Sequence, residues 1–194
     1  MRHCCIGCGS YLLKEFAILV LTARQRVWAA IGLLSAWIML TSVLLYRFGF
    51  AHYGTFDAEQ QWHYGTAAIT LPQLNIPVEQ GWQVVHVLDK HCGCSRFARS
   101  HVELFADNYQ VPSSRQHYLS ADVIAKAGLM IPAVPAVLLF DNGQLMYAGP
   151  YASGPLCSTN DSFLTSLLSR QVALNGLWLN GESKACRCLV SPGA

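Results

Sequence analysis

The sequence VHVLDKHCGC at residues 85–94 decides the fold, because it carries an apolar strand directly into a turn with two closely spaced cysteines. Residues 82–88 are short, β-branched and mostly apolar, which predicts a strand. Residues 95–109 begin with Ser95, a plausible N-cap, and place apolar side chains roughly on one side, which predicts a helix. The two cysteines are therefore expected at a strand-to-helix junction.

The rest of this region continues to alternate between strand and helix patterns. Asn-Gly between two β-rich runs is a strong hairpin signal, and glycine commonly ends a helix. The patterns favour, in order, a strand at 115–119, a helix at 121–127, strands at 136–140 and 144–148 joined by Asn142-Gly143, and a helix at 162–174 capped by Asp161. This order predicts an α/β sandwich.

The cysteines at 92 and 94 carry the candidate chemistry. The first turn of a helix has unpaired N–H groups and a positive dipole end, which favour thiolate over thiol and lower a cysteine pKa from about 8.5 toward about 3.5–7.5. Cys92, nearer the loop, is the expected exposed nucleophile, and Cys94 would resolve the mixed disulfide by forming a disulfide with Cys92. Lys90, His91 and Arg96 could add positive potential nearby.

These residues resemble the thioredoxin superfamily. Residues 85–94 look like the family's strand and active-site segment, with one residue fewer between the cysteines. VPAVLLFDNG at 134–143 is similar to its cis-proline strand and hairpin turn, and Gly149 matches the glycine that closes the hairpin. The resemblance covers roughly residues 80–175. It implies a thioredoxin-like fold and thiol–disulfide exchange on protein thiols, with no organic cofactor and no metal.

The resemblance also implies roles for single residues. Pro135 would be the cis-proline facing the cysteines, and Val134 would present its backbone to a bound polypeptide. His91 stands where the family usually has an aromatic residue, so it is a candidate substrate contact. His86 matches the position of a buried acid and would assist proton transfer from Cys94; an ordinary hydrogen-bonded strand histidine is the alternative.

Three further cysteines leave several interpretations open. Cys157 could form a structural disulfide with Cys186 or Cys188. Cys186 and Cys188 could instead form a second redox pair that relays electrons to the first. The two C-x-C units together with His91 could also bind a soft ion such as Cu(I).

An apolar run, VWAAIGLLSAWIMLTSVLLY at residues 27–46, has 20 residues without a charge. A helix of that length spans about 30 Å, the thickness of a bilayer core. Residues 1–47 carry five basic side chains and one acidic, whereas the remainder carries eight basic and ten acidic. The positive-inside rule then predicts a single-pass protein of a bacterial inner membrane, with a cytoplasmic N-terminus and a periplasmic domain. A cleaved signal peptide is the alternative.

Composition limits the function classes. The chain is 53% hydrophobic and 12% charged with a net charge of +2, which excludes general disorder and gives no basic surface for nucleic acid. The predicted segments are a cytoplasmic segment at 1–26, the anchor at 27–46, a linker and lead-in at 47–80, a thioredoxin-like domain at 81–175, and a cysteine-containing tail at 176–194. In the cytoplasmic segment, Cys4, Cys5 and Cys8 have no assigned role.

The sequence thus predicts a membrane-anchored periplasmic thiol–disulfide oxidoreductase. Its partners would be protein thiols or disulfides and a redox partner that the sequence does not name. Two alternatives stay open: a copper-binding or metallochaperone-type protein of the same fold, and a non-catalytic interaction module.

Overall fold

The structure, a computed structural model, describes residues 22–62 and 68–191. The chain divides into two compact units, Met1–Leu45 and Tyr46–Ala194. Three cysteines of the predicted cytoplasmic segment, which have no assigned role, lie outside the described residues: Cys4, Cys5 and Cys8.

Helix α1 spans Ala23–Gly49 and is longer at both ends than the predicted residues 27–46. It begins with a reciprocal cap, in which the Thr22 N–H donates to Gln25 Oε1 over 2.9 Å and the Gln25 N–H donates to Thr22 Oγ1 over 3.4 Å. Among the described residues, Ala23–Phe48 is a helix long and apolar enough to cross a membrane, by length and composition. Its most apolar window has no buried residue, unlike the core helix of a soluble protein.

The second unit is a mixed α/β structure. Its described elements are β1 (Tyr53–Thr55), β2 (Trp82–Val87), α2 (Cys94–Asp107), β3 (Gln116–Leu119), α3 (Ala121–Lys126), β4 (Ala133–Val134), β5 (Ala136–Asp141), β6 (Gln144–Gly149), α4 (Leu164–Leu168), β7 (Trp178–Leu179), β8 (Lys184–Cys186) and β9 (Cys188–Leu189). The predicted α/β class and the predicted order of strands and helices through α4 are confirmed.

A five-stranded sheet organises this unit, with strand order β3-β2-β5-β6-β7. Strand β2 runs parallel to β3, which it reaches through α2, and antiparallel to β5. Strands β5 and β6 form the predicted hairpin, and β7 adds to β6 in parallel. At the turn, Asn142 and Gly143 have φ values of 50° and 82°, as a tight hairpin requires.

Strand β2 separates two hydrophobic cores because successive side chains point to opposite faces of a sheet. Val85 and Val87 pack in one core, together with Cys92 and Cys94. Val84 packs in the other core, which includes Phe105 of α2 and Leu164 of α4. The cysteines therefore lie on one side of the sheet and His86, which alternates with Val85, on the other.

The last predicted helix is much shorter than expected. Residues 162–174 were predicted helical, but α4 ends at Leu168 because Arg170 takes a φ of +55°, which reverses the chain. Its guanidinium stacks over the Trp82 ring at 5.6 Å and pairs with Asp141 at 3.3 Å. The predicted cap is also corrected, since the Ser162 hydroxyl, rather than Asp161, accepts the Leu164 N–H over 3.2 Å.

The lead-in and the tail form small sheets that the sequence patterns did not predict. Strand β1 pairs with β8, and β9 pairs with β4, both antiparallel. Ala133 faces Leu189 and Val134 faces Cys188 in the second of these ladders. The tail is thus folded against the segment that precedes β5.

Candidate active site

The turn between β2 and α2 holds the two central cysteines. Helix α2 begins at Cys94 with Gly93 as its N-cap, one residue earlier than predicted. Ser95 lies inside the first turn, where its hydroxyl accepts the Asp89 N–H over 3.2 Å. This moves the predicted cap but leaves both cysteines at the helix N-terminus, where the dipole favours a thiolate.

Asp89 holds this turn in place, a role that was not predicted from the sequence. Its Oδ1 accepts the His91 N–H over 2.8 Å, and its carbonyl accepts the Cys92 N–H over 3.2 Å. An aspartate that bonds to the backbone two residues on is a recognisable turn signal. The His91 side chain, predicted to contact substrate, is exposed at the outer end of this turn.

The structure joins each central cysteine to the tail. Cys92 is bonded to Cys188 and Cys94 to Cys186, with Cα–Cα separations of 5.9 and 5.6 Å. The expected disulfide within the pair at 92 and 94 is not formed in this state. Cys92, expected to be exposed, is only 3% accessible because the tail lies over it.

The sulfurs form one cluster. The Sγ atoms of Cys92, Cys94 and Cys188 all lie within 4.8 Å of one another. His52, which no sequence pattern indicated, places its Nδ1 4.0 Å from Cys188 Sγ. No local pattern marked His52, because 136 residues separate it from Cys188.

The peptide bond between Val134 and Pro135 is cis, as predicted. The Val134 carbonyl oxygen lies 3.5 Å from Cys92 Sγ. Val134 also pairs with Cys188 across the ladder of β4 and β9. The backbone edge expected to receive a bound polypeptide is therefore occupied by the chain's own tail.

Cys157 is free, so its disulfide with Cys186 or Cys188, one of the three interpretations that the sequence left open, is not formed. It packs in the other core, 4% accessible, and burial raises the pKa of its thiol to about 12. A thiol in this environment stays protonated and is a poor nucleophile.

His86 is held away from the sulfurs by a hydrogen-bond network. The Gln116 amide nitrogen donates to the Val111 carbonyl, so Gln116 Oε1 accepts from His86 Nε2 over 3.2 Å. His86 Nδ1 then accepts the Tyr151 hydroxyl over 2.8 Å. Burial lowers the His86 pKa to about 4, which keeps the ring neutral. These contacts favour the alternative of an ordinary buried histidine over a proton relay to Cys94.

An open groove of about 540 Å³ runs beside the tail. Its walls include Leu88, Asp122, Val134 and Cys188. Of the four bonded cysteines, Cys188 is the one that lines the groove. The cluster is thus reachable from outside through a tail sulfur.

Comparison with known proteins identifies a family for this chain but no activity. A model described as Domain of unknown function (DUF6436) matches residues 60–190, more than half of the chain. No curated protein and no solved structure matches. The matched region contains the cis-proline and all four cysteines that form disulfides among the described residues. The chain belongs to the DUF6436 family of domains of unknown function.

Proposed function

We propose that this protein is a membrane-anchored thiol–disulfide oxidoreductase that acts on protein thiols through Cys92 and Cys94. The observation that carries the proposal is the sulfur cluster, in which two cysteines at a helix N-terminus lie within 4.8 Å of a third, Cys188. Disulfide exchange requires one sulfur within reach of another and a thiolate that is easily formed. This arrangement offers both.

The fold we propose is thioredoxin-like. Support comes from the unit β2-α2-β3 with parallel strands, followed by the antiparallel hairpin of β5 and β6. A cis-proline directly before β5 and a cysteine pair at the start of α2 agree with the resemblance read from the sequence.

A bound polypeptide would use the edge of β4. Val134 offers backbone groups there, beside Cys92 Sγ at 3.5 Å, and β9 already pairs with it antiparallel. Addition of an extended strand to a sheet edge is a common way to bind peptides with little sequence preference. This supports a protein rather than a small thiol as the substrate.

We further propose that α1 anchors the domain in a bacterial inner membrane with the domain in the periplasm. The helix has the required length and apolar composition, and the basic residues concentrate on its N-terminal side. An oxidising compartment is consistent with two disulfides in one small domain.

Reduction of insulin by dithiothreitol tests the activity. The full chain in detergent should accelerate insulin precipitation, and the double variant with Cys92→Ala and Cys94→Ala should fall to the rate of dithiothreitol alone. Cys157→Ala is the matched control, because it removes a buried thiol outside the cluster and should leave the rate unchanged. Equal acceleration by the double variant and the natural chain would refute the proposal. No acceleration by the natural chain would also refute it and would favour a non-catalytic interaction module.

Cu(I) binding by the reduced protein is a second candidate, favoured by the same three sulfurs. Thiolates are soft ligands that select Cu(I), and the donor set of Cys92, Cys94 and Cys188 fits that ion. Titration of Cu(I) into the fully reduced chain, beside the insulin assay, separates the candidates. Tight binding of one ion without exchange activity would favour copper handling over the oxidoreductase.

A further inference from the structure

Accessibility decides which sulfur an external thiol meets first. Cys92, Cys94 and Cys186 are buried, whereas Cys188 is half-buried and lines the groove. Exchange begins when a thiolate attacks one sulfur of a disulfide, so the attacked sulfur must be reachable. In the bond between Cys92 and Cys188, the groove exposes the Cys188 end.

The chemistry favours the same direction of attack. Attack on Cys188 expels Cys92 as a thiolate directly before the first turn of α2, where unpaired N–H groups and the positive dipole end stabilise negative charge. Attack on Cys92 would instead expel the Cys188 thiolate from a two-residue strand that has no helix N-terminus. A thiol of lower pKa leaves faster, so Cys92 is the better leaving group.

The freed Cys92 sulfur has an internal target. Cys94 Sγ lies within 4.8 Å of it and is bonded to Cys186. A Cys92 thiolate that attacks Cys94 forms the bond between Cys92 and Cys94 and expels Cys186. The two crossed disulfides are thereby converted into one disulfide at the helix and two free thiols on the tail.

We propose that Cys188 is the entry point for external protein thiols and that Cys186 and Cys188 take up the two electrons. In the first step, one thiolate of a protein dithiol attacks Cys188 and releases Cys92. In the second, the other substrate thiolate attacks the substrate sulfur bound to Cys188, which forms the substrate disulfide and releases Cys188. In the third, Cys92 attacks Cys94 and releases Cys186.

Electrons and protons balance over the three steps. The substrate dithiol loses two electrons and becomes a disulfide, the tail gains two electrons, and the two substrate protons end on Cys186 and Cys188. The protein goes from two disulfides to one, and the oxidant is its own crossed pair. This scheme rests on the proposed function and specifies how the site exchanges with its substrate.

Partial reduction of the natural chain tests where the electrons settle. The oxidised full chain in detergent receives one equivalent of dithiothreitol, is quenched in acid, and is alkylated and mapped by mass spectrometry. The proposal expects alkylated Cys186 and Cys188 with a disulfide between Cys92 and Cys94. Alkylation of Cys92 and Cys188, with the bond from Cys94 to Cys186 intact, would overturn it.

Two double variants test the point of attack. The variant with Cys94→Ala and Cys186→Ala keeps only the bond from Cys92 to Cys188, and N-acetylcysteine should form its first adduct on Cys188. The matched variant with Cys92→Ala and Cys188→Ala keeps only the buried bond from Cys94 to Cys186, and should react on the order of tenfold more slowly. Adducts mainly on Cys92, or equal rates for both variants, would refute the entry point.

Failure of the proposed function and failure of this inference give different experimental results. If insulin is not reduced but the maps show entry at Cys188 and electrons on the tail, then exchange at the cluster is real and protein disulfides such as those of insulin are not its substrate. If insulin is reduced but the maps show entry at Cys92, then the oxidoreductase stands and this inference is wrong.

Discussion

Removing the crossed disulfides should destabilise the fold in a strongly non-additive way. The bond from Cys92 to Cys188 closes a loop of 96 residues, and the bond from Cys94 to Cys186 a nested loop of 92. In the chain-entropy account, a loop of about 100 residues contributes about 4.7 kcal/mol at 25 °C.

The second crosslink adds much less than the first. Once one bond has closed the long loop, the other closes only a small ring made of the two C-x-C triplets. The same relation gives about 2 kcal/mol for a ring of that size. Replacing either bonded pair by alanines should therefore cost about 2 kcal/mol, and replacing all four cysteines about 7 kcal/mol.

Urea unfolding of the full chain in detergent, followed by tryptophan fluorescence, measures these costs. Cys157→Ala supplies the cost of losing one buried sulfur without a crosslink, which is subtracted once for each cysteine that a variant replaces. Addition of dithiothreitol should bring the natural chain to the stability of the four-alanine variant after the same correction.

The sign of the stability change in one variant decides between two possible disulfide pairings. If the bonds ran instead between Cys92 and Cys94 and between Cys186 and Cys188, each would close a very small ring. Replacing Cys94 and Cys186 would then let the remaining two cysteines form the long-range crosslink. That variant would gain about 1.5 kcal/mol instead of losing about 2, which would refute the reasoning.

Three other measurements follow from the structure. The His86 pKa of about 4 lies below its ordinary value of 6.5, so the unfolded chain takes up a proton first and stability falls by up to about 3 kcal/mol as pH drops from 6.5 to 4. His86→Gln should lose this part of the pH dependence. If urea titrations give the variant and the natural chain the same dependence of stability on pH, the prediction is wrong. Gly143→Ala should be more destabilising than Gly128→Ala, since both have positive φ but only the first new Cβ meets Val78, at 2.8 Å; equal melting temperatures would contradict this. Cys157, with its pKa raised to about 12, should resist iodoacetamide at neutral pH until urea unfolds the chain; labelling of the native chain at the unfolded rate would contradict it.

Short-range patterns were enough to predict much of the second unit. Alternation in β2, the Asn142-Gly143 turn and the helix after Cys94 each depend on residues close together in sequence, so local propensity and patterning identify them. Ser95 and Asp161 were wrongly predicted as caps. A small shift in the residue at which the backbone enters a helix changes which side chain can cap it, and local sequence does not fix that residue. The helix after Ser162 was predicted too long, since Arg170 is held out of the helix by contacts with Trp82 and Asp141, which are distant in the chain.

The sequence by itself determined the apolar helix, the α/β order and the placement of two cysteines at a helix N-terminus, because these follow from local pattern. Only the tertiary structure decided which cysteines are bonded, since Cys92 and Cys188 are 96 residues apart and no spacing rule connects them. It also decided that His86 lies on the opposite side of the sheet from the sulfurs and that β9 pairs with Val134. The chemistry of the candidate site thus depends on long-range contacts, in which a tail without a clear pattern of its own covers the central pair and presents Cys188 to the groove.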